Sequence, residues 1–343
     1  GVDYDGSSTD LASSMNYSVQ EYALDVVGAI SGACDHHGIP HPDIVTESGR
    51  ALVAHHAVLV VNVLGVSTPP TGGRVAAPSH DAPEVIHALY EALSRCSEEG
   101  YQAAWHDALS SRAQARDMFN LGLLDLRQRA EAERLYWQIV GRIARVIKNI
   151  PYVPDDVGRL RRSLVDTYFC NFSLFQSMPD SWAVDQMFPI VPVHRLDEEP
   201  LRTAVLADIT CDSDGKVDRF IGLHGARDSL PLHPIREGEP YYLAAFLVGA
   251  YQEILGDLHN LFGDTNVVVV KLDGNGSYAL EQVVEGDTVA DVVRYVQYDR
   301  REMVSRLRQA CERAVREGTL SLEESRLLMK NYIAGLEGYT YLE

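Results

Sequence analysis

The sequence predicts an α/β segment joined to a β-rich domain, with a helical insertion between them and a helical C-terminal extension. Three observations predict this α/β plus β class. Residues 18–50 read as helix, strand and turn. Residues 81–165 carry apolar side chains at intervals of three and four. From Tyr168 the period falls to two, and it returns to a helical one after Thr288. At 343 residues the chain is long enough for about two domains.

The elements follow in order. Residues 1–17 form a Gly/Ser/Asp-rich loop that reads like the inside of a protein rather than its start. Ser18 with Glu21 makes a capping box, and Tyr22, Ala23, Val26, Val27 and Ile30 follow at helical spacing until Gly38 and Pro40. Ile44 and Val45 are expected to end a buried strand, Glu47-Ser48-Gly49-Arg50 to turn the chain, and Ala51–Val58 to open a helix. Val58–Val66 is a β-branched run expected to be a buried strand. Residues 67–80, with Pro69, Pro70, Gly72 and Gly73, make a linker. Asp81 is expected to cap the first helix of the insertion, with Pro83 in its first turn. Leu121, Leu124, Leu135, Ile139, Ile143 and Val146 mark the apolar stripe, and Pro151 and Pro154 stop it. Tyr90, Trp105, Tyr136 and Trp137 are expected in its core. Tyr168–Phe175 and Thr203–Ile209 read as strands, and Tyr241–Ala250 as a further apolar stretch. Asp273-Gly274-Asn275-Gly276 joins Asn266–Leu272 to Tyr278–Val284 as a hairpin. Thr288–Tyr298 reads as helix, and residues 300–336 as a helical pair broken at Gly318.

Composition narrows the function. A hydrophobic share of 46% and a charged share of 23% are ordinary for a globular chain. The formal net charge of −19 disfavours nucleic acid and anionic membrane and favours a cationic substrate. Five cysteines, widely spaced and without a CxxC pair, indicate neither a disulfide framework nor a zinc site, which fits a reducing cytoplasm. No apolar run has the length of a membrane span, and no signal peptide is present.

The stretch 42–50 carries the strongest chemistry. A turn that opens a helix presents free backbone N–H groups to an anion. Gly49 allows close approach and Arg50 adds a fixed charge. Glu47 stands where it could meet a cationic ring nitrogen of the same ligand. A phosphate and a protonatable ring nitrogen on one molecule describe pyridoxal phosphate. The same four residues also suit an ordinary joint with a surface ion pair. Cys211-Asp212-Ser213-Asp214-Gly215 follows a strand, so a thiol lies beside two carboxylates, either as an active-site loop or as a polar turn. It lacks the distal ligands of a calcium loop. Tyr251, after Gly249-Ala250, offers a hydroxyl to a phosphate or fills a core. His36-His37 and His55-His56 are adjacent pairs whose rings diverge on a helix, so neither chelates one ion, although His55 and His56 could line a pocket beside the turn. Lys148, Lys216, Lys271 and Lys330 are the only lysines, and none reads as a Schiff-base partner.

These residues and the text around them resemble the biosynthetic arginine decarboxylases, over the whole chain. The resemblance is carried by Gly1-Val2-Asp3-Tyr4-Asp5-Gly6, Glu47-Ser48-Gly49-Arg50, Ala54-His55-His56, Asn171–Asp180, Ile209–Gly215, Val248–Gly256 and Gly338–Glu343. The tetrapeptide is shared with ornithine and diaminopimelate decarboxylases, whereas the longer stretches are specific. The resemblance implies the C-terminal part of a (β/α)8 pyridoxal phosphate barrel over residues 1–66 and a linker and helical insertion over 67–165. A β-rich domain, barrel or sandwich, follows over 166–287, and a helical extension over 288–343. It implies that Glu47 pairs with the pyridine nitrogen and that Gly49, Arg50 and Tyr251 hold the phosphate. Cys211 and Asp212 would be catalytic, the first returning a proton to the α-carbon and the second holding the cationic end of L-arginine. Asp214 and the stretch Gly1, Val2, Asp3 and Tyr4 would complete the substrate site. The expected reaction is decarboxylation of L-arginine to agmatine in polyamine biosynthesis, by a cytoplasmic homo-oligomer with sites at a dimer interface. In the family the Schiff-base lysine precedes the point where this sequence starts, so the N-terminal half of the enzyme is an expected partner. Magnesium is linked to the family, but no ligand cluster supports it here. Decarboxylation of another diamino acid and a non-catalytic regulatory relative are the competing readings.

Overall fold

The computed structural model describes residues 1–8, 13–73, 75–154, 157, 160–222 and 225–342. The chain divides into two compact units. One comprises residues 1–65, 168–200 and 206–343, the other residues 66–167 and 201–205.

Along the chain, α1 (Val19–His37), α2 (Gly49–Val53) and β1 (Val58–Ser67) come first. The helices α3 (Glu84–Ser94), α4 (Tyr101–Asn120), α5 (Leu126–Val146) and α6 (Leu160–Ser163) follow. Then come β2 (Asp166–Cys170), α7 (Leu174–Ser177), α8 (Pro179–Ala183), β3 (Ile190–Pro192), β4 (Arg202–Ala207) and β5 (Lys216–Val217). The strands β6 (Phe220–Gly222), β7 (Gly225–Arg227), β8 (Leu230–Leu232) and β9 (Tyr242–Phe246) precede the hairpin β10 (Val267–Leu272) and β11 (Tyr278–Val284). Three helices end the chain: α9 (Val289–Tyr295), α10 (Arg300–Arg316) and α11 (Leu322–Glu337).

The sheet strands run in the order β3-β9-β1-β2-β4-β5, with β8 also paired to β4. Val58 of β1 stands opposite Phe246 of β9 in an antiparallel register that continues to Asn62 and Tyr242. Antiparallel pairing makes the residues before Val58 and those after Phe246 leave the sheet at the same end. That single register positions the candidate site. Inward side chains of this unit include Tyr168, Phe220, Leu232 and Leu243, all buried. Tyr168 also spends its hydroxyl on the His233 carbonyl at 2.9 Å, so its polar tip is satisfied in the core.

The α1 capping box forms as the sequence indicates, with Ser18 and Glu21 bonded reciprocally, and Gly38 ends the helix in the left-handed conformation. The expected strand at Ile44–Val45 does not form. Residues 39–48 have no regular structure, and Val45 is 92% exposed. A strand exists only through a neighbour's backbone, and among the described residues none pairs with this stretch. The helix after the turn also starts earlier than Ala51 and ends sooner, at Val53, continuing as a 3-10 turn over Ala54–His56. Beyond it, β1 forms where the β-branched run predicts a strand, but it is not the buried strand expected: only Val61 and Val63 are buried, while Val58, Val60 and Leu64 are exposed.

In the other unit, α5 buries Ala132, Leu135, Tyr136, Ile139, Val140 and Ile143, a stripe at intervals of three and four. It packs with α3 and α4 around Ile86, Leu89, Ala104, Trp105 and Ala108. Asp125 caps α5 through a box with Gln128. Pro83, not Asp81, precedes α3, and no side chain caps that end. Leu121 is not in the stripe. It follows α4 at the turn made by Gly122 (φ 73°) and is exposed.

Asp273 fixes the hairpin turn by accepting the N–H groups of Asn275 and Ser277 at 2.9 and 3.0 Å. Both of its strands are exposed throughout. Gly318 (φ 71°) separates α10 from α11. The end of the chain returns to the sheet: Asn171, just after β2, bonds the Leu342 backbone through both ends of its amide, and the buried Tyr341 hydroxyl donates to the Gly263 carbonyl at 2.8 Å. Glu343 lies outside the described residues. Among the described residues no helix is long and apolar enough to cross a membrane.

Candidate active site

The register of β1 on β9 brings the α2 turn against the turn after β9. Gly249 donates its N–H to the Ala54 carbonyl at 3.1 Å. A Cβ on Gly249 would stand 2.0 Å from the Val53 carbonyl oxygen and 2.1 Å from His56 Nδ1, so only glycine allows this approach. Two residues on, Tyr251 takes a positive φ of 70°. That is a costly conformation for an aromatic residue. It sets the phenol ring beside Arg50, whose guanidinium carbon lies 5.1 Å from the ring centroid. The Tyr251 hydroxyl also stands 3.6 Å from where a Cβ on Gly49 would be.

Arg50 is held from its other side. Its Nη2 lies 3.4 Å from Asp180 Oδ2. The Gln252 side chain donates to the same Asp180 oxygen at 2.9 Å and accepts the Asp180 N–H at 3.2 Å. Gln252 is buried. Tyr4, also buried, sets its ring edge-on to Phe188 at 5.7 Å. Burial pushes the Tyr4 hydroxyl above the ordinary phenol value; Arg50 draws it down, while Asp180 and Tyr251 push it up. Tyr4, Gly49, Arg50 and Tyr251 therefore form one cluster, with Asp180 and Gln252 as its support.

The other predicted residues fall elsewhere. Glu47 is exposed and makes no hydrogen bond or ion pair among the described residues. Gly1 is exposed and Val2 is buried. Asp3 accepts hydrogen bonds from Ser14 and Ser8 within its own loop, at 2.9 and 3.3 Å. His56 lies against Gly249, and His55 and His56 are both exposed. Lys216 and Lys271 pair with surface carboxylates, Asp218 and Glu281. Among the described residues no group of three His, Cys, Asp or Glu side chains is placed to hold a metal ion.

Cys211, Asp212 and Asp214 sit on a loop suspended from the end of β4. Its suspension is Asp208, a buried carboxylate that accepts the Leu174 N–H at 2.8 Å and the Thr210 N–H and hydroxyl at 2.9 and 2.7 Å. Burial raises the Asp208 pKa, against the pull of these donors. Gly215 closes the loop: a Cβ there would stand 2.2 Å from Asp208 Oδ1. Asp212 accepts the Asp214 N–H at 2.9 Å through Oδ1, and its Oδ2 faces His259 Nε2 at 3.8 Å. Of the five cysteines only Cys211 is exposed. Burial pushes Cys170 up to about 12 and Cys96 up to about 11, so those thiols stay protonated at neutral pH.

One short segment touches both groups. Phe175 on α7 packs its ring at a tilt against His259, centroids 4.6 Å apart, beside Asp212, and Asp180 on α8 meets Arg50. Asp180, Gln252, Asp208 and His259 were not singled out by sequence reasoning. Asp180 and Gln252 lay inside the stretches Asn171–Asp180 and Val248–Gly256, where family-specific text was their only signal.

Two family models match the chain: the arginine decarboxylase helical bundle domain over residues 79–161 and the arginine decarboxylase C-terminal helical extension over residues 289–342. The chain belongs to the biosynthetic arginine decarboxylase family. It is 50% identical to the biosynthetic arginine decarboxylase of Bacteroides thetaiotaomicron, with 100% of this chain and 54% of that protein aligned. It is 50% identical to that of Gloeobacter violaceus, with 99% and 53% aligned. Among solved structures it matches the biosynthetic arginine decarboxylase of Campylobacter jejuni with a TM-score of 0.78 at 32% identity, covering 96% of this chain and 52% of that one. The chain spans about half the length of the curated relatives it matches.

Proposed function

We propose that this chain forms part of a pyridoxal phosphate-dependent decarboxylase that converts L-arginine to agmatine and carbon dioxide in polyamine biosynthesis. The convergence of Gly49, Arg50 and Tyr251 on one point carries the reading. A Cβ on Gly49 would fill the space before the Tyr251 hydroxyl, and a guanidinium and a phenol facing that space suit a phosphate monoester. The helix that starts at Gly49 is only five residues long, so its dipole adds little. The seat rests on N–H groups, one hydroxyl and one fixed charge.

Bound there, pyridoxal phosphate supplies an electron sink for the pair left behind when the carboxylate departs as carbon dioxide. Glu47 would keep the proton on the ring nitrogen. After carbon dioxide has left, Cys211 would give its thiol proton to the substrate α-carbon, and the thiolate would regain a proton from solvent. Asp212, with Asp214 beside it, receives the guanidinium, which asks for a carboxylate fork. Gly1, Val2, Asp3 and Tyr4 would complete the substrate site. The net charge of −19 draws the cationic substrate in.

The proposal extends to a cytoplasmic homo-oligomer whose sites form at a dimer interface, and to the division of the chain at 66, 165 and 287. The Schiff-base lysine comes from residues that the relatives carry beyond the span matched here. Magnesium rests on resemblance alone and is given no role. The test is carbon dioxide release from arginine, ornithine and lysine, by the chain alone and by the chain joined to those further residues. The expected result is release from arginine by the joined protein only. Release by the isolated chain, or indifference to arginine in the joined protein, contradicts the proposal.

A further inference from the structure

The Cys211–Asp212 loop has a second anchor besides Asp208. The backbone N–H of Cys211 donates to Oδ1 of Asn260 at 3.0 Å, across a sequence separation of 49 residues. Asn260 reaches it from an uncommon conformation, with φ at 56° and Leu261 next to it at 60°. Few residues other than glycine hold a positive φ, and asparagine is the best suited of those with a side-chain acceptor. The turn that presents it is fixed on both flanks. His259 packs its ring on Phe175 at 4.6 Å and faces Asp212 at 3.8 Å. Leu261 donates its N–H to the Leu258 carbonyl at 2.8 Å. A bond to the Cys211 backbone leaves the thiol free while limiting where it points, as a proton donor requires.

We infer that Asn260 is a positioning residue for Cys211: its carboxamide oxygen holds the backbone of the loop so that the thiol keeps one direction. This rests on the reading of Cys211 as a proton donor, but the anchor is a property of the chain itself and is measurable without cofactor or substrate. Cys211 is the only exposed cysteine, so the rate of its alkylation by iodoacetamide reports how freely the loop opens. The rate is measured on the pH plateau, where the thiol is ionised throughout, and at high salt to screen added charge. Asn260→Gly keeps the positive φ and removes the acceptor. Asn260→Asp keeps both an acceptor oxygen and tolerance of the conformation.

The expected result is alkylation at least about threefold faster in Asn260→Gly and close to the unsubstituted rate in Asn260→Asp, with thermal midpoints alike. An unchanged rate in Asn260→Gly overturns the inference. Equal acceleration in both variants also overturns it, because a structural disturbance would produce that pattern. Should Asn260→Gly fail to fold, hydrogen exchange of the Cys211 amide in Asn260→Ser decides: wild-type protection there contradicts the anchor. If the alkylation result stands while the joined protein fails to decarboxylate arginine, the anchor survives and the functional reading falls.

Discussion

Asp180 and Gln252 hold each other through two hydrogen bonds, one in each direction, at 2.9 and 3.2 Å. The same Asp180 oxygen faces Arg50 at 3.4 Å. The cation that reads as the phosphate grip is therefore aimed by a carboxylate, which is itself aimed by a buried amide. Replacing Gln252 with alanine leaves a nearly buried carboxylate short of a donor. The expected cost is about 2 kcal/mol of stability, read as a lower denaturant midpoint with an unchanged slope. Gln252→Glu, which sets two carboxylates together, is expected to cost at least as much.

The turn after β9 admits no side chain at position 249. Gly249→Ala places a methyl carbon within 2.1 Å of the Val53 carbonyl oxygen at the end of α2 and of His56 Nδ1 in the 3-10 turn after it. Backbone there cannot yield cheaply, so the loss is expected to be about 2 kcal/mol or more. The check is thermal unfolding together with the fluorescence of Tyr251, compared with a Tyr251→Phe control.

Much of the fold is legible in the sequence. The α5 stripe, the α1 capping box and the Asp273–Gly276 turn are local features, and local periodicity and turn chemistry reported them. The seat was half legible. Gly49 and Arg50 read as a candidate anion site from the turn alone, and Tyr251 joined them only through the family resemblance, because their meeting depends on the pairing of β1 with β9. The strand expected at Ile44–Val45 failed for a related reason: two apolar residues propose a strand, but only a neighbouring backbone makes one. Asp180 was invisible as a partner of Arg50, since a lone aspartate in the first turn of a short helix looks the same whether or not an arginine faces it.

Cys211 and Asp212 are expected to separate kinetically in the joined protein. Cys211→Ser should lower kcat by at least about a hundredfold with KM little changed, as loss of a proton donor does. Asp212→Asn should act chiefly on KM for arginine, by about 2 kcal/mol or more, because it removes the charge from a guanidinium contact. Steady-state kinetics across arginine concentrations checks both.

The helical unit carries its own pH dependence. Glu133 on α5 bonds Arg112 Nε on α4 at 3.1 Å through both oxygens and meets Arg129 at 2.6 Å. Partial burial pushes Glu133 up, but the two arginines outweigh it and hold its pKa below the ordinary glutamate value. A carboxylate lowered in the fold stabilises fully above its unfolded value, and that contribution fades as pH falls through its folded value. Glu133→Gln is expected to lose about 1 kcal/mol at neutral pH, a figure discounted for exposure, and the gap to the unsubstituted unit should close on acidification below the carboxylate range. Urea unfolding at a series of pH values checks this.

The most direct test of the anion seat compares two ligands that differ by one phosphate. Affinities for pyridoxal phosphate and for pyridoxal are measured in the joined protein and in its Arg50→Ala and Tyr251→Phe variants. If Gly49, Arg50 and Tyr251 hold the phosphate, each variant loses affinity for pyridoxal phosphate, by at least about tenfold for Arg50→Ala, while pyridoxal binding stays as it was. Equal losses for both ligands, or no loss for either, contradict the account.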